Sequence, residues 1–398
     1  MIILIAKEGK EKKVENFYPW LFKDEVKDII GSSDELKKPG IANLFSSDNR
    51  FVGRGLYIPN SRKIFKLLTF RDEKIDKFFF IRRISRALEL RKKEFSPPFY
   101  RLVNSEADFI PGLIVDRYDD YLVVQFRDTS IKFFEKEIIE SLVELLEPKG
   151  IQERSDFEHV EDPNFVQQNR TVFGEIPDGL LINENGLKIL VNLKSGQKTG
   201  FFYDQRKNRY ISRKIAEKFK GKTGLDLYCY TGGFALNMAL SGMKVIAVDK
   251  SNEDIELAKE NAKLNGLTDR ITFLSVRVED FLESSIDENL KSAFIVFDPP
   301  SLIKTKTEKR KAFGILSELI GKSFNLIDEG CFSFSSCAYN IDLELMVEVL
   351  RIQAGDQRKI LRVINQTFQD VDHPWILQIP ESLYLKTLWL IIEKGEFL

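Results

Sequence analysis

The sequence predicts an α/β protein whose second half folds as a doubly wound sheet, preceded by a small β barrel and a small α+β region. Three observations carry that prediction. From Gly224 onward, short apolar runs alternate with segments of helical period. A turn at Thr231-Gly232-Gly233 joins the first run to a helix marked by Phe234, Leu236, Met238, Ala239 and Leu240. Acids stand at the ends of successive runs, among them Asp226, Asp249 and Asp298. Ligands of such sheets bind outside the carboxyl ends of the strands. The glycines let the backbone approach a ligand closely, and the helix start offers N–H donors. Asp249, about 20 residues past the turn, is placed for ribose hydroxyls. The three-glycine spacing of a dinucleotide site is absent, so this is not a dinucleotide fingerprint; a different nucleotide-like ligand or a purely structural βαβ unit stays open.

A chain of 398 residues exceeds one ordinary core, so two or three domains are expected. Hydrophobic content of 43% and charged content of 30% describe a soluble globular protein. The net charge is −1, so any nucleic-acid contact must rest on local basic patches. No apolar run approaches the roughly 18–20 residues that span a bilayer. The opening MIILIA is followed by mixed charge and reads as a first strand, not a leader. Cys229, Cys331 and Cys337 lack C-x-x-C spacing, and His159 and His373 are the only histidines. A disulfide scaffold and a metal site are therefore not expected. The reading is a reduced, cytoplasmic protein with no membrane partner and room for a homodimer.

Taken in order, residues 1–75 hold short apolar runs between turns such as Lys38-Pro39-Gly40, Gly53-Arg54-Gly55 and Ile58-Pro59-Asn60. Residues 76–96 turn helical, with Ile81, Ile84, Ala87, Leu88 and Leu90 as the apolar stripe. Arg82, Arg83, Arg86, Arg91, Lys92 and Lys93 surround it, a cationic face suited to phosphates. Ser96-Pro97-Pro98 breaks this helix. Residues 97–193 read as strands around a helix at Phe133–Leu146, ending in a hairpin across Asn183–Gly186. Glu106, Asp108 and Asp116 are expected to cap turns there.

Residues 194–398 form the sheet domain. Asp204 stands where an N-cap would open a helix to Phe219. Beyond the glycine turn come a helix from Ser251 to Asn265 and strands at Ile271–Val276, Ala293–Phe297 and Cys331–Ser335. The last two deliver Asp298-Pro299-Pro300 and Ser336-Cys337 at their ends.

Several phrases resemble known families. Tyr18-Pro19-Trp20-Leu21-Phe22 and the run from Gly55 to Ile64 resemble a PUA domain, an RNA-binding module, with Tyr18 where histidine is commoner. The turn D-L-Y-C-Y-T-G-G-F (Asp226 to Phe234) resembles the first motif of S-adenosylmethionine (SAM) methyltransferases. With G-Q-K-T-G-F-F-Y-D-Q-R (Gly196 to Arg206), Asp298-Pro299-Pro300, Ser336-Cys337, Asp372-His373-Pro374 and Tyr384-Leu385-Lys386, the chain resembles the large-subunit ribosomal RNA cytosine-C5 methyltransferases along nearly its whole length.

That resemblance implies a Rossmann-like methyltransferase domain with SAM as cofactor and ribosomal RNA as partner. It implies cofactor contacts from Phe202, Asp204, Gln205 and Arg206 at the methionine end. Asp226, Tyr228, Thr231, Gly232 and Gly233 would form the turn around it, and Asp249, Lys250 and Ser251 the ribose end. Either Glu279 or Asp280 would meet the adenine, with Asp298 and Pro299 beside the reacting methyl. Cys337 is implied as nucleophile and Asp298 as the acid that orients the base, with Pro300 and Lys386 on the RNA, to which the cationic face of the 76–96 helix adds Arg82 and Arg83. The chemistry needs such a cysteine, because C5 of a pyrimidine becomes nucleophilic only after a thiolate adds to C6. The chain departs from the family at Ala338, where a second serine is usual, and at Ser301-Leu302. Two alternatives stay open: a guanine-N7 or other RNA methyltransferase, in which Cys337 is idle, and a catalytically silent SAM- and RNA-binding factor.

Overall fold

Residues 2–95, 98–157, 162, 164–301 and 308–395 are described by the structure, a computed structural model. The Ser96-Pro97 break, His159 and Leu302 lie outside the described residues. Two compact units emerge. The first joins Met1–Leu180 to Val191–Tyr203 and Val371–Ser382; the second joins Leu181–Leu190 to Asp204–Asp370 and Leu383–Leu398.

The first unit begins with β1 (Ile2–Ala6), α1 (Glu11–Glu15), β2 (Trp20–Leu21), β3 (Val26–Ile30), β4 (Gly40–Phe45), β5 (Phe51–Tyr57) and β6 (Phe65–Thr69). These strands form one sheet in the order β2-β6-β5-β4-β1-β3. Ile2, Leu4 and Ala6 alternate inward along β1 and meet Leu21, Leu44 and Phe65 in a shared core.

Helix α2 (Lys77–Lys92) follows, capped by Asp76, whose carboxylate accepts from the Phe79 N–H at 3.2 Å. Its buried face is Phe79, Phe80, Ile84, Ala87, Leu88 and Arg91. The helix is therefore rotated from the stripe read in the sequence, with Leu90 58% exposed and Arg91 inside. An ion pair sets that rotation. Asp108 takes the Arg91 guanidinium in two bonds, at 2.6 and 2.7 Å, and so meets the cost of burying the charge.

The unit continues through β7 (Phe99–Asn104), β8 (Leu113–Tyr118), β9 (Tyr121–Phe126), α3 (Thr129–Lys132), α4 (Glu135–Leu146), β10 (Gly150–Arg154) and β11 (Asn169–Gly174). Its second sheet has the order β11-β10-β9-β8-β7. Phe79, Phe80 and Ile84 of α2 pack into its core with Leu102, Val115, Val124 and Ile138. Each such side chain, fully buried, contributes roughly 1.5–3 kcal/mol. Of the three expected turn acids, Asp108 also receives a nearby backbone N–H, that of Asn104 at 2.6 Å. Asp116 instead holds Arg101 at 2.7 and 2.9 Å, and Glu106 accepts from the Trp20 indole at 3.1 Å.

The second unit holds all but the outer ends of the hairpin β12 (Leu180–Glu184) and β13 (Leu187–Val191), then α5 (Arg206–Ala216), β14 (Thr223–Leu227), α6 (Gly233–Leu240), β15 (Lys244–Asp249) and α7 (Asn252–Leu264). It continues with β16 (Ile271–Ser275), α8 (Val278–Asp287), β17 (Phe294–Phe297), α9 (Lys309–Asn325), β18 (Gly330–Ser336), α10 (Leu343–Asp356), β19 (Lys359–Phe368) and β20 (Lys386–Lys394). The sheet order is β16-β15-β14-β17-β18-β20-β19. Strands β14 to β18 are mutually parallel, and β20 enters antiparallel to β18. Order reverses at β14, which has β15 on one side and β17 on the other. That is the switch point where such sheets receive ligands. Leu225, Leu227, Phe297, Phe332 and Phe334 of the strands pack against Leu316, Ile320 and Phe324 of α9 beneath it.

Candidate functional site

The turn after β14 is built from unusual backbone. Tyr228 and Tyr230 have φ of 67° and 50°, and Gly232 follows at 83°. Non-glycine residues rarely enter this region, and they stay there only when neighbours over-determine them. Here the N–H groups of Tyr228 and Cys229 both donate to the Val248 carbonyl, at 2.9 and 3.0 Å. The Tyr230 N–H donates to Asp249 Oδ2 at 3.0 Å. Gly233 opens α6, and a Cβ there would lie 2.7 Å from Arg209 Cδ. Arg209 has no room to retreat, because Glu184 holds its guanidinium at 2.5 and 2.7 Å.

Polar atoms converge on this turn. Asp226 is fully buried; Oδ2 accepts from the Ala235 N–H at 2.8 Å, and Oδ1 has no partner. The Tyr228 hydroxyl and Thr231 Oγ1 are likewise buried without one. Each such atom costs about 1–3 kcal/mol unless a ligand meets it. Burial first, then the nearby Asp298 and Asp249 charges, push the Asp226 carboxyl up to about 8. Burial and the Glu279 charge raise the Tyr228 hydroxyl too. Acids gathered with unpaired hydroxyls suit a ligand that carries positive charge, hydroxyls and an amine. SAM is such a molecule, and the residues present fit it.

The other expected cofactor residues fall on both sides of a clear division. Asp249 accepts from the N–H of Tyr230 and of Ser251, each at 3.0 Å, and Ser251 caps α7 through the Asp254 N–H at 3.2 Å. Lys250 is exposed beside them. Glu279 is half-buried on the first turn of α8, whereas Asp280 is exposed. Asp204 does not cap α5: Gln205 holds the N-cap position, and Asp204 Oδ2 accepts from the Tyr384 hydroxyl at 2.8 Å. Arg206 is held between Glu184 at 3.7 Å and Asp370 at 3.3 Å.

Phe202, Arg82 and Arg83 belong to the first unit. Lys198 lies 4.4 Å over the Phe202 ring. Arg82 pairs with Glu73, and Arg83 turns back to donate to the Leu68 carbonyl at 2.7 Å. His373, also in that unit, is buried with Nδ1 2.8 Å from Asp372 Oδ1.

Asp298 closes β17 with Pro299 buried and Pro300 exposed after it. Cys337 follows β18, the neighbouring strand, and is half-buried, while Cys229 and Cys331 are buried. Lys386, on β20, faces Ser336 across the ladder and donates to the Ala338 carbonyl at 3.2 Å. The strand ends thus bring Asp226, Asp249, Asp298 and Cys337 to one edge of the sheet.

Sequence reasoning named Gln205 but missed the polar residues tied to it beneath this edge. Gln205 donates to Asp298 at 2.9 Å and accepts from Asn208 at 2.6 Å; Asn208 also donates to Thr387 at 3.0 Å. The i, i+3 spacing of Gln205 and Asn208 was a usable signal, since it places both on one helix face. Glu184 and Thr387 carried none.

Two protein families match separate stretches of the chain. A PUA-like domain family matches residues 4–70, and a family of S-adenosylmethionine-dependent methyltransferases matches residues 165–330. Ribosomal RNA large subunit methyltransferase I of Tolumonas auensis is 33% identical over 390 residues, covering 96% of this chain and 97% of that protein. Its namesake in Shewanella denitrificans is 32% identical with the same coverage. The chain belongs to the ribosomal RNA large subunit methyltransferase I family.

Solved structures agree on the fold of this family member. A SAM-dependent methyltransferase from Streptococcus mutans superposes with a TM-score of 0.82, covering 98% of this chain and all of its own at 22% identity. A methyltransferase solved in complex with SAH gives 0.83 at the same identity and coverage. The protein is a SAM-dependent methyltransferase with an N-terminal PUA-like domain, and SAM is its cofactor. Among the described residues, no helix is long and apolar enough to cross a membrane, and no three His, Cys, Asp or Glu side chains gather as a metal site needs.

Proposed function

We propose that this methyltransferase acts in the cytoplasm on large-subunit ribosomal RNA, and that it methylates C5 of a cytosine through a covalent adduct with Cys337. One observation carries the reading: of three cysteines only Cys337 is not buried, and it lies at the carboxyl edge of the sheet, on the strand beside that of Asp298. The relatives are named for the same class of RNA.

The cofactor would lie along the switch point. Asp204, Gln205 and Arg206 would take its methionine end; Asp226, Tyr228, Thr231, Gly232 and Gly233 the turn; Asp249, Lys250 and Ser251 the ribose. Glu279 is favoured over Asp280 for the adenine, because it is half-buried and its charge reaches the Tyr228 hydroxyl. When bound, SAM supplies an electrophilic methyl group.

The target base must leave its stack to reach the cleft. There the Cys337 thiolate adds to C6, which breaks the ring conjugation and makes C5 nucleophilic. Asp298, beside Pro299, would hydrogen-bond N3 or the exocyclic amine and steady the charge that develops. After methylation, loss of the C5 proton and departure of the same sulfur restore the aromatic ring. Pro300 and Lys386 would border the nucleotide. On the first unit, Arg82 and Arg83 would contribute to a phosphate-facing surface on α2, with the exposed Arg86, Lys92 and Lys93.

The test is Cys337→Ala. It should retain SAM affinity and lose methyl transfer by about 10³-fold or more, while ribosomal RNA from cells lacking the protein should miss one 5-methylcytosine by mass spectrometry. Undiminished turnover in the variant, or a missing N7-methylguanine instead, overturns the reading.

A further inference from the structure

The register between β18 and β20 places a lysine against the backbone on either side of Cys337. Lys386 sits directly across from Ser336, the residue before Cys337, and its ammonium donates to the carbonyl of Ala338, the residue after it. The side chain is 7% exposed. A buried ammonium needs negative charge nearby, since desolvation alone favours its neutral form. The groups acting on it are Asp342, Cys337 and Lys309. Asp342 is already engaged by Lys309 at 2.5 Å.

We propose that Lys386 is the cation that holds Cys337 as a thiolate in the resting enzyme. The inference rests on the reading of Cys337 as nucleophile and adds what makes it one. Burial lowers the Lys386 ammonium from its ordinary value, and the charge on Cys337 works in the opposite direction. Coulombic coupling is reciprocal: whatever the sulfur anion does for the ammonium, the ammonium does for the sulfur anion. A thiol ordinarily ionises near pH ~8.5, so at neutral pH it needs such a neighbour to react at a useful rate. Around the ammonium itself, Asp342 acts in the same direction as Cys337 and Lys309 opposes them, with Lys309 and Asp342 paired to each other. Lys386 thus acts through Cys337 in addition to bordering the nucleotide.

The test uses the full chain without RNA or cofactor. Iodoacetamide alkylation of Cys337 is followed against pH by peptide mass spectrometry, with the buried Cys229 and Cys331 as internal controls. The wild-type profile should have a midpoint about one unit or more below that of Lys386→Gln, a tenfold difference in thiolate fraction at fixed pH. Glutamine can still donate to the Ala338 carbonyl, so it removes the charge and keeps the anchor. Lys386→Met serves as the second neutral variant, and Lys386→Arg should retain the wild-type profile. Neutral variants whose profiles superpose on wild type overturn the proposal. Methyl transfer that survives in Cys337→Ala sinks the nucleophile reading without moving any of these profiles, so the two failures are told apart.

Discussion

The side-chain amide of Gln205 donates to Asp298 Oδ2 at 2.9 Å, and its own carbonyl oxygen accepts from Asn208 at 2.6 Å. With both ends fixed, the amide can present only its N–H to the acid. Asn208 passes the constraint on to Thr387 at 3.0 Å, and Thr387 shares a 2.8 Å bond with Ser335 on the strand that carries Cys337. Buried polar side chains therefore tie the proposed base-orienting acid to the proposed nucleophile's strand. Gln205→Leu, similar in volume, removes both bonds and leaves Asn208 short of an acceptor. Single-turnover methyl transfer should fall about 10–100-fold. A wild-type rate would mean that Asp298 is aimed by something else.

Gly233→Ala probes the floor of the turn. The new methyl would come within 2.7 Å of Arg209 Cδ, and that side chain is pinned by the two bonds to Glu184. Overpacking of this kind costs about 1–3 kcal/mol, or roughly 2–4 °C of melting temperature per kcal/mol in a domain of this size. SAM affinity should fall as well, because the turn must shift. An unchanged melting temperature and affinity would show that Arg209 yields freely.

Much of this was legible in the chain because local signals and tertiary structure agree. The run to Leu227, the glycines at 232 and 233, and Ser251 capping α7 each follow from a local rule that the fold obeys. What escaped was set by partners far away in sequence. Arg91 looked like one more solvated charge until Asp108 buried it. Asp204 looked like a cap, yet its acceptor oxygen serves Tyr384, 180 positions on. Strand β19 gave no strand signal, since its middle is exposed and only its pairing with β20 makes it regular.

The Arg91–Asp108 pair gives the first unit a sharp test. Both side chains are about 2% exposed. Asp108→Ala leaves a guanidinium buried without its counter-charge, which costs about 3–5 kcal/mol. Adding Arg91→Met to that variant should recover part of the loss, because the stranded charge goes with it. Urea denaturation of the four proteins in this cycle measures the coupling. A double variant less stable than Asp108→Ala alone would show that Arg91 contributes through its bonds to the carbonyls of Arg101 and Asp372 more than through the pair.

Asp226 links stability to pH in the direction opposite to most carboxylates. Burial, reinforced by Asp298 and Asp249, raises it from an ordinary 3.8 to about 8. Between those values the folded chain keeps a proton that the unfolded chain has released. Stability from this group is therefore full below about pH 4 and declines as pH rises toward 8. Asn at this position has no proton to keep, and its side-chain oxygen can still accept from the Ala235 N–H. Asp226→Asn should match wild type in melting temperature near pH 4–5, then exceed it by a margin that widens up to about pH 8. The same change removes an acid of the proposed cofactor turn that a bound cation would draw into its ionised form, so SAM affinity should drop by roughly ten- to a hundredfold, the value of one charged hydrogen bond. Scanning fluorimetry across pH, paired with calorimetric SAM titration, reads both effects. A melting-temperature gap that stays constant with pH would mean that Asp226 is ionised in the folded chain throughout, and that the turn tolerates a bare buried charge without its ligand.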